Sequence, residues 1–395
     1  DDRRRSSGKR KPVARLTPRQ AGAAPVLICA GGTGGHLFPA QALAEELERR
    51  GLVVHLATDA RGGGLKGRFP AQGIHVLPAA TIRSRSPIGL ARTAATLAHG
   101  LVRAFFLIGR LGPRVVVGFG GYPTLPPLLA ARLRRVPSIL HEQNAVMGRA
   151  NRFLSRFADA VAVSFEAMDL VPEAARGKLR HTGIPVRGAV IEAARQVYDV
   201  PLASGALRLL VFGGSQGAHA FSQLVPEALA ALPETLRRRL SVVQQARPED
   251  VERVRAAYGK AGIPAVVEPF FDDLPRRMAQ AHLVISRSGA STVAELTVIG
   301  RPAVLVPLPG AIDNDQLMNA RALERAHAAR LMPQSGLTAE ALCAGIGELL
   351  GDSGKLAEIA AAARALGRQD AVARLADLVA EMGAGGKTEP KERAS

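Results

Sequence analysis

The stretch 26–40, VLICAGGTGGHLFPA, decides the fold. Val26 to Ala30 are five apolar residues in a row and read as a buried strand. They run into Gly31-Gly32-Thr33-Gly34-Gly35-His36, a tight turn, and then into PAQALAEELERR (39–50), whose apolar spacing predicts a helix. Gly51 ends that helix, and LVVHLAT (52–58) reads as the next strand. Strand, glycine turn, helix, strand is the opening of a parallel sheet covered by helices. The pattern restarts 182 residues later: RLLVF (208–212), GGSQG (213–217), and a helix from about Ala220. Further strands are expected at 73–77, 115–117, 138–141 and 160–163, and then at 241–244, 265–268, 282–286 and 303–306. The fold class is therefore α/β, two doubly wound Rossmann-like domains facing across a cleft. Ligands in such sheets bind beyond the carboxyl ends of the strands. The expected division is a structureless basic tail at 1–24, a first domain at 25–185 and a second at 186–367. A helix at 368–382, open to packing back on the first domain, and a polar tail at 383–395 complete it.

The composition limits what such a chain does. At 395 residues and 47% hydrophobic it is too apolar for disorder and long enough for two cores. Cys29 and Cys343 lie too far apart for a CxxC spacing, which excludes a Cys-rich zinc module and a disulfide scaffold and suits a reducing compartment. The net charge of +18 is lopsided: +17 falls on residues 1–200 and +1 on 201–395. Without the tail, 25–200 is still +11, so an anionic partner is expected for the first half. The alternative reading of part of that excess is genomic, since an Arg-rich, Lys-poor chain is also what a GC-rich genome encodes. Nucleic acid is disfavoured, because no basic stripe interleaves with aromatics and Trp is absent. Residues 3–19 resemble the basic front of a signal peptide, but the five-residue apolar run after them is short of the roughly 7–15 required. Residues 88–109 are long enough to span a bilayer. Arg92, His99 and Arg103 interrupt them, and each central Arg costs about 2.5–3.5 kcal/mol on insertion, so a transmembrane helix is rejected.

The chemistry sits at strand exits. The first glycine loop can cradle an oxyanion with its N–H groups. It is no dinucleotide fingerprint, because Leu37 stands where the third glycine belongs, which argues against an NAD(P) oxidoreductase. His36, near a helix start, is a candidate neutral general base or a mere helix cap. His141-Glu142-Gln143-Asn144 lacks the second His of a zincin helix. It reads as a polar cluster for a sugar or diphosphate, or as a network that holds the fold. Gly118-Phe119-Gly120-Gly121-Tyr122 lets a bulky ligand approach the backbone. Gly213-Gly214-Ser215-Gln216-Gly217 should hold a diphosphate. In SRSGASTVAE (286–295), Glu295 can accept both hydroxyls of a ribose, or is a solvated helix carboxylate. Asp313-Asn314-Asp315-Gln316, with Asn319, offers amides and carboxylates to sugar hydroxyls.

Taken in order, GGTGGHLFPA, GFGGYPT, HEQN, GIPVR, GGSQG, FFDDL, SRSGASTVAEL and DNDQLMNA resemble the bacterial MurG family, from about Val26 to Ala380. That family comprises the UDP-N-acetylglucosamine:undecaprenyl-diphospho-muramoyl-pentapeptide N-acetylglucosaminyltransferases of peptidoglycan synthesis. The resemblance implies a GT-B fold and an inverting transfer that makes lipid II from lipid I on the cytoplasmic face of the plasma membrane, by a peripheral protein. It implies UDP-N-acetylglucosamine and undecaprenyl-linked lipid I as substrates, no metal and no cofactor, with other cell-wall synthesis proteins as further candidate partners. Donor contacts carry over onto Thr33, Gly34, Gly35, Asn144, Arg187, Ser215, Phe271, Ala290, Ser291, Thr292, Val293, Ala294, Glu295 and Gln316. Glu295 would hold the ribose, Ser215 the diphosphate, Gln316 the amino sugar and the backbone near Phe271 the uracil. His36 and Tyr122 match acceptor-side positions and are the candidate catalytic residues, with His36 the preferred base. Ser291 and Phe271 depart from the family pattern, and the tail 1–24 has no counterpart in it. A transferase acting on diacylglycerol or a small aglycone would share the second-domain motifs but not GGTGGH and HEQN. Apolar residues and arginines mix through 82–110, which suits shallow docking on an anionic membrane surface, or an ordinary core helix.

Overall fold

The computed structural model describes residues 24–385 except 33, 66–68, 81–85 and 215–216. Apart from Ala24, the basic tail lies outside the described residues, as do 386–395, Thr33 and Ser215. The first lobe is built on strands β1 (Val26–Cys29), β2 (Val54–Thr58), β3 (Gly73–Val76), β4 (Val115–Gly118), β5 (Ser138–Glu142), β6 (Ala160–Val163) and β7 (Leu179–His181). Its helices are α1 (Gly34–Arg49), α2 (Pro87–Leu111), α3 (Leu125–Leu133), α4 (Arg149–Leu154) and α5 (Glu173–Arg176), and α6 (Gly188–Ala193) then opens the second lobe. The second lobe has β8 (Leu207–Phe212), β9 (Leu240–Gln245), β10 (Ala265–Glu268), β11 (Leu283–Ser286), β12 (Ala303–Leu305) and β13 (Arg330–Leu331). Its helices after α6 are α7 (His219–Ala230), α8 (Glu234–Arg237), α9 (Val251–Lys260), α10 (Leu274–Gln280), α11 (Ala290–Ile299), α12 (Asp315–Arg325), α13 (Ala339–Leu350) and α14 (Ser353–Leu366), and α15 (Ala371–Gly385) follows them in the chain.

Both sheets are parallel, in the orders β3-β2-β1-β4-β5-β6-β7 and β10-β9-β8-β11-β12-β13. VLIC, VVVG, AVAV and LVIS are buried throughout, as strands covered on both faces must be. The two-residue period of the strand sorts their side chains. Val26 and Ile28 join one apolar layer with Leu43 and Leu47 of α1, while Leu27 and Cys29 join the other with Ala104 and Ile108 of α2. In the second lobe Leu209 and Val211 face one layer, and Leu210 and Phe212 the other.

Three differences from the sequence reading have local causes. The first helix begins at Gly34, a turn and a half before Pro39, which lies inside it. A helix leaves its first amides unpaired anyway, so a proline this early removes only one internal bond. The edge strands β7 (LRH) and β13 (RL) were not expected; they are short, polar and half-exposed, with no apolar run to mark them. The last helix extends past Gly383 to Gly385 and lies on the first lobe. Its Leu375, Ala376 and Val379 are completely buried in the layer that holds Val26 and Ile28. Arg50 at the end of α1 meets Asp377 at 2.6 Å and the Ala373 carbonyl at 3.2 Å.

The chain thus crosses between lobes twice, at 182–187 and at 367–371. The crossings touch at Gly183, whose φ is +82°. A Cβ there would stand 2.9 Å from the Arg368 Cβ and 3.1 Å from the Ala371 Cβ, so only glycine fits.

Candidate active site

The strand order reverses between β1 and β4 in the first sheet and between β8 and β11 in the second. Crevices open at such switch points, and the glycine loops follow those four strands. Ala30 to Gly32 leave β1, and Gly32 donates its N–H to Asp59 Oδ1 at 3.3 Å. Asp59 is held in turn by Arg61 at 2.6 and 2.9 Å. A Cβ on Gly32 would lie 2.7 Å from backbone atoms of Arg61 and Gly62, which explains the glycine. Gly34 and Gly35 open α1, and the space where Gly35 would carry a side chain is empty to 4 Å. His36 follows on the first turn, half-buried. Its ring lies against Gly121 of the β4 exit, where a Cβ would be 3.3 Å from the imidazole Cε1. Burial holds the His36 pKa down to about 4, with the Arg61 charge adding to the shift and Asp59 opposing it. Tyr122, half-buried, begins the short turn beside it.

The HEQN segment divides into scaffold and site. His141 is completely buried, donates from Nε2 to the Gly183 carbonyl at 3.0 Å and stacks on Phe119 at 5.2 Å. Gln143 binds the Phe119 carbonyl. Glu142 accepts from the Asn144 amide, the Gly148 amide and Asn151 at 2.7–3.0 Å. Burial raises its pKa against those bonds. These three residues hold the loop, and Asn144 alone of the four is half-buried, its Nδ2 donating to Glu142 Oε1 at 3.3 Å.

In the second lobe Gly213 donates to Gln245, and a Cβ on it would strike the Ala218 amide at 2.3 Å. Gly214 and Gly217 take φ of +86° and +66°. α7 starts at His219 and α11 at Ala290, and no side chain caps either among the described residues. At Gly289, the N-cap of α11, the space for a side chain is again empty to 4 Å. Two helix N-termini without a side-chain cap among the described residues thus stand at the exits of β8 and β11, the arrangement that an anion favours. Glu295 lies one turn into α11 and is 7% exposed, so it is no solvated helix carboxylate. Burial raises its pKa; Arg187, whose Nη2 donates to Glu295 Oε1 at 3.2 Å, opposes that. The Arg187 guanidinium also lies over the Phe38 ring of α1 at 4.5 Å, so one residue touches both lobes.

Within the 290–295 run, Ala290, Ser291 and Thr292 are half-buried at the helix start, while Val293 and Ala294 turn into the core. They can meet a ligand only through the backbone. Ser291 Oγ is buried with no partner among the described residues. Phe271 is 8% exposed beneath the Arg277 guanidinium, whereas its neighbour Phe270 is 63% exposed. Gln316 accepts at its carbonyl from Ser288 Oγ at 2.8 Å and at Oε1 from the Leu308 amide at 3.0 Å.

Asn319 and Asp313 do not face a sugar, contrary to the expectation from their residue types. Asn319 is completely buried. Its Oδ1 accepts from the Ala145 amide at 2.8 Å, and its Nδ2 donates to Asn144 Oδ1 and the Ser288 carbonyl, both at 3.0 Å. Asp313 binds Arg152 at 3.2 Å and Arg149 at 3.4 Å. Both residues therefore join the lobes at the cleft floor. Phe38, Asp59 and Arg61 also shape the site and carried no sequence signal, since each acts through contacts that only the fold creates.

The chain matches the glycosyltransferase family 28 N-terminal domain over residues 26–163 and the family 28 C-terminal domain over 208–375. It is 56% identical over 358 residues to a protein of Methylobacterium nodulans named UDP-N-acetylglucosamine--N-acetylmuramyl-(pentapeptide) pyrophosphoryl-undecaprenol N-acetylglucosamine transferase, covering 90% of this chain and 96% of that one. A Rhodopseudomonas palustris protein of the same name is 54% identical, with 90% and 97% covered. The crystal structure of Acinetobacter baumannii MurG superposes with a TM-score of 0.75 at 31% identity, covering 91% of this chain and all of the other. Two parallel-sheet lobes, glycine loops at both switch points and these likenesses agree: the chain is a GT-B glycosyltransferase of family 28 and belongs to the MurG N-acetylglucosaminyltransferases.

Proposed function

We propose that the chain transfers N-acetylglucosamine from UDP-N-acetylglucosamine to the 4-hydroxyl of the muramoyl unit of lipid I, with inversion, giving lipid II and UDP. The observation that carries this reading is the Arg187–Glu295 pair beside the uncapped start of α11, facing α1 across the cleft. Glu295 accepts the ribose hydroxyls. The amide of Gly214 and the amides that open α11 take the negative charge of the departing diphosphate, a role that preorganised backbone dipoles fill well. Asn144 and Gln316 address the amino sugar. In the transfer the acceptor oxygen forms a bond to the anomeric carbon as the bond from that carbon to the UDP oxygen breaks. The hydroxyl proton passes to His36, which burial keeps neutral and therefore able to accept it. Tyr122, beside His36, serves the acceptor side.

α2 supplies a membrane contact in this reading. By length and composition it could cross a bilayer, but Ala104, Leu107 and Ile108 pack it into the first lobe. Its other face leaves Ile88, Val102 and Phe106 at 53–70% exposure, next to Arg92, Arg103 and Arg110. No ion pair is made by those three arginines among the described residues. An apolar face ringed by cations suits peripheral docking on anionic lipid at the face where lipid I is presented. The decisive experiment is UDP release with UDP-N-acetylglucosamine and a lipid I analogue. Release that depends on the analogue is expected; release only with a diacylglycerol or a small aglycone as acceptor would overturn the substrate.

A further inference from the structure

A cavity of about 490 Å³ lies at the joint of the two lobes, away from the cleft. Its size is in the range of small-molecule sites. The first lobe contributes the segment 164–167 and His181; the two crossings contribute Gly183, Ile184 and Arg368. The second lobe contributes Val293, Thr297 and Val298 of α11 and Leu323 of α12. On α11 the lining residues Val293, Ala294, Thr297 and Val298 form one stripe, whose centre lies about 130° around the helix from Glu295. The cavity therefore lies on a different flank of α11 from Glu295. Of the residues named as donor contacts only Val293 and Ala294 line it, with side chains that turn into the core; the glycine loops, Asn144, Arg187, Phe271 and Gln316 do not.

The chemistry of the walls is two-sided. Ile184, Val293, Val298 and Leu323 form an apolar floor and are buried. The rim carries Arg325 and Arg368. Arg368 pairs at 3.1 Å with Glu166, a carboxylate that is itself 76% exposed and also faces His181 at 3.5 Å. Arg325 is exposed and makes no ion pair among the described residues. The rim thus holds one guanidinium more than its carboxylate neutralises, above a greasy floor. We propose that this cavity is a binding site for a small amphipathic anion, an alkyl or aryl chain carrying one carboxylate or sulfonate, seated with its chain on the floor and its head at Arg325. An occupant touches both lobes and both crossings, so it favours the lobe spacing seen here.

The test uses the full chain and the fluorescent anion 8-anilinonaphthalene-1-sulfonate, with decanoate as competitor. We expect one saturable site from which decanoate displaces the dye and saturating UDP does not. Ala322→Trp, which fills the cavity from α12, should remove the site; Arg325→Glu should weaken it about tenfold. Because Arg325 is on the surface, R325E decides the matter even where A322W fails to fold. Phe106→Ser, on the exposed face of α2, should leave the site intact. Dye binding that is indifferent to R325E, lost in F106S, or displaced mole for mole by UDP would overturn the proposal.

Discussion

At Glu295 a carboxylate is buried and its charge is met by one guanidinium that also rests on an aromatic ring of the other lobe. Glu295→Gln keeps the volume and gives up the charge, so Arg187 loses its partner and, in the proposed donor pose, the ribose loses its strong acceptor. Hydrogen bonds to charged groups contribute about 1.5–3 kcal/mol, so the donor KM should rise roughly 10- to 150-fold, as measured by initial rates of UDP release. An unchanged KM would remove Glu295 from the donor site. His36 gives a prediction with a sign. Its folded pKa, about 4, lies below the ordinary value of 6.5. The neutral base therefore persists as pH falls through 6.5, and kcat/KM should hold until the pH approaches about 4. An acid limb centred at 6.5, unmoved by His36→Gln, would assign the base elsewhere. His36→Gln itself should lower kcat by about 10²–10⁴. The same sign governs stability. His36 and the buried His141, also held down to about 4, take up protons on unfolding between about 4 and 6.5, so stability falls as pH falls through that window.

Elements were legible in the sequence wherever a local rule sufficed. The buried strands announced themselves as apolar runs, and the glycine loops because a Cβ at Gly32 or Gly213 would strike backbone. Pro39 misled as a start marker, because a helix tolerates proline for its whole first turn and somewhat beyond. β7 and β13 were silent because edge strands need no apolar face. The HEQN string showed that a polar cluster existed; it could not show that three members are fully buried in the scaffold and the fourth only half-buried, since that depends on Phe119, Gly148, Gly183 and Asn319. α2 carries its own prediction. Phe106→Ser removes an exposed ring that the lobe does not need, so the protein should keep its melting temperature. Its binding to anionic vesicles, measured by co-sedimentation at low salt, should fall several-fold. Raising salt should weaken the wild type further through its arginines. Binding indifferent to both changes would return α2 to an ordinary packing role.

For the whole molecule the informative residue is Asn319. Three hydrogen bonds from one buried amide tie the Asn144 loop to Ser288, and through Ser288 to Gln316. Asn319→Leu is close in volume and leaves the Ala145 amide, the Asn144 carbonyl oxygen and the Ser288 carbonyl without their partner. Each buried group so stranded costs about 1–3 kcal/mol, and each kcal/mol moves the melting temperature of a lobe this size by about 2–4 °C. Calorimetry should therefore show a clear drop, together with a fall in kcat/KM. A double-mutant cycle with Asn144→Ala should be non-additive, because the two residues share a bond. Additive losses would show that the junction does not couple the lobes. None of this was readable beforehand: residues 144 and 319 are 175 positions apart, and their types suited a sugar equally well.

The placement of α15 bears on how such a chain is made. A ribosome releases the first lobe's strands long before Leu375 and Val379, which complete that lobe's apolar layer. At ordinary elongation speeds the interval is about 10–40 s. Through it, the side of the early sheet that α15 later shields stays wet, and the nascent half is a client for holding factors. A premature stop anywhere in the last helix would therefore unmake the half that was synthesised first.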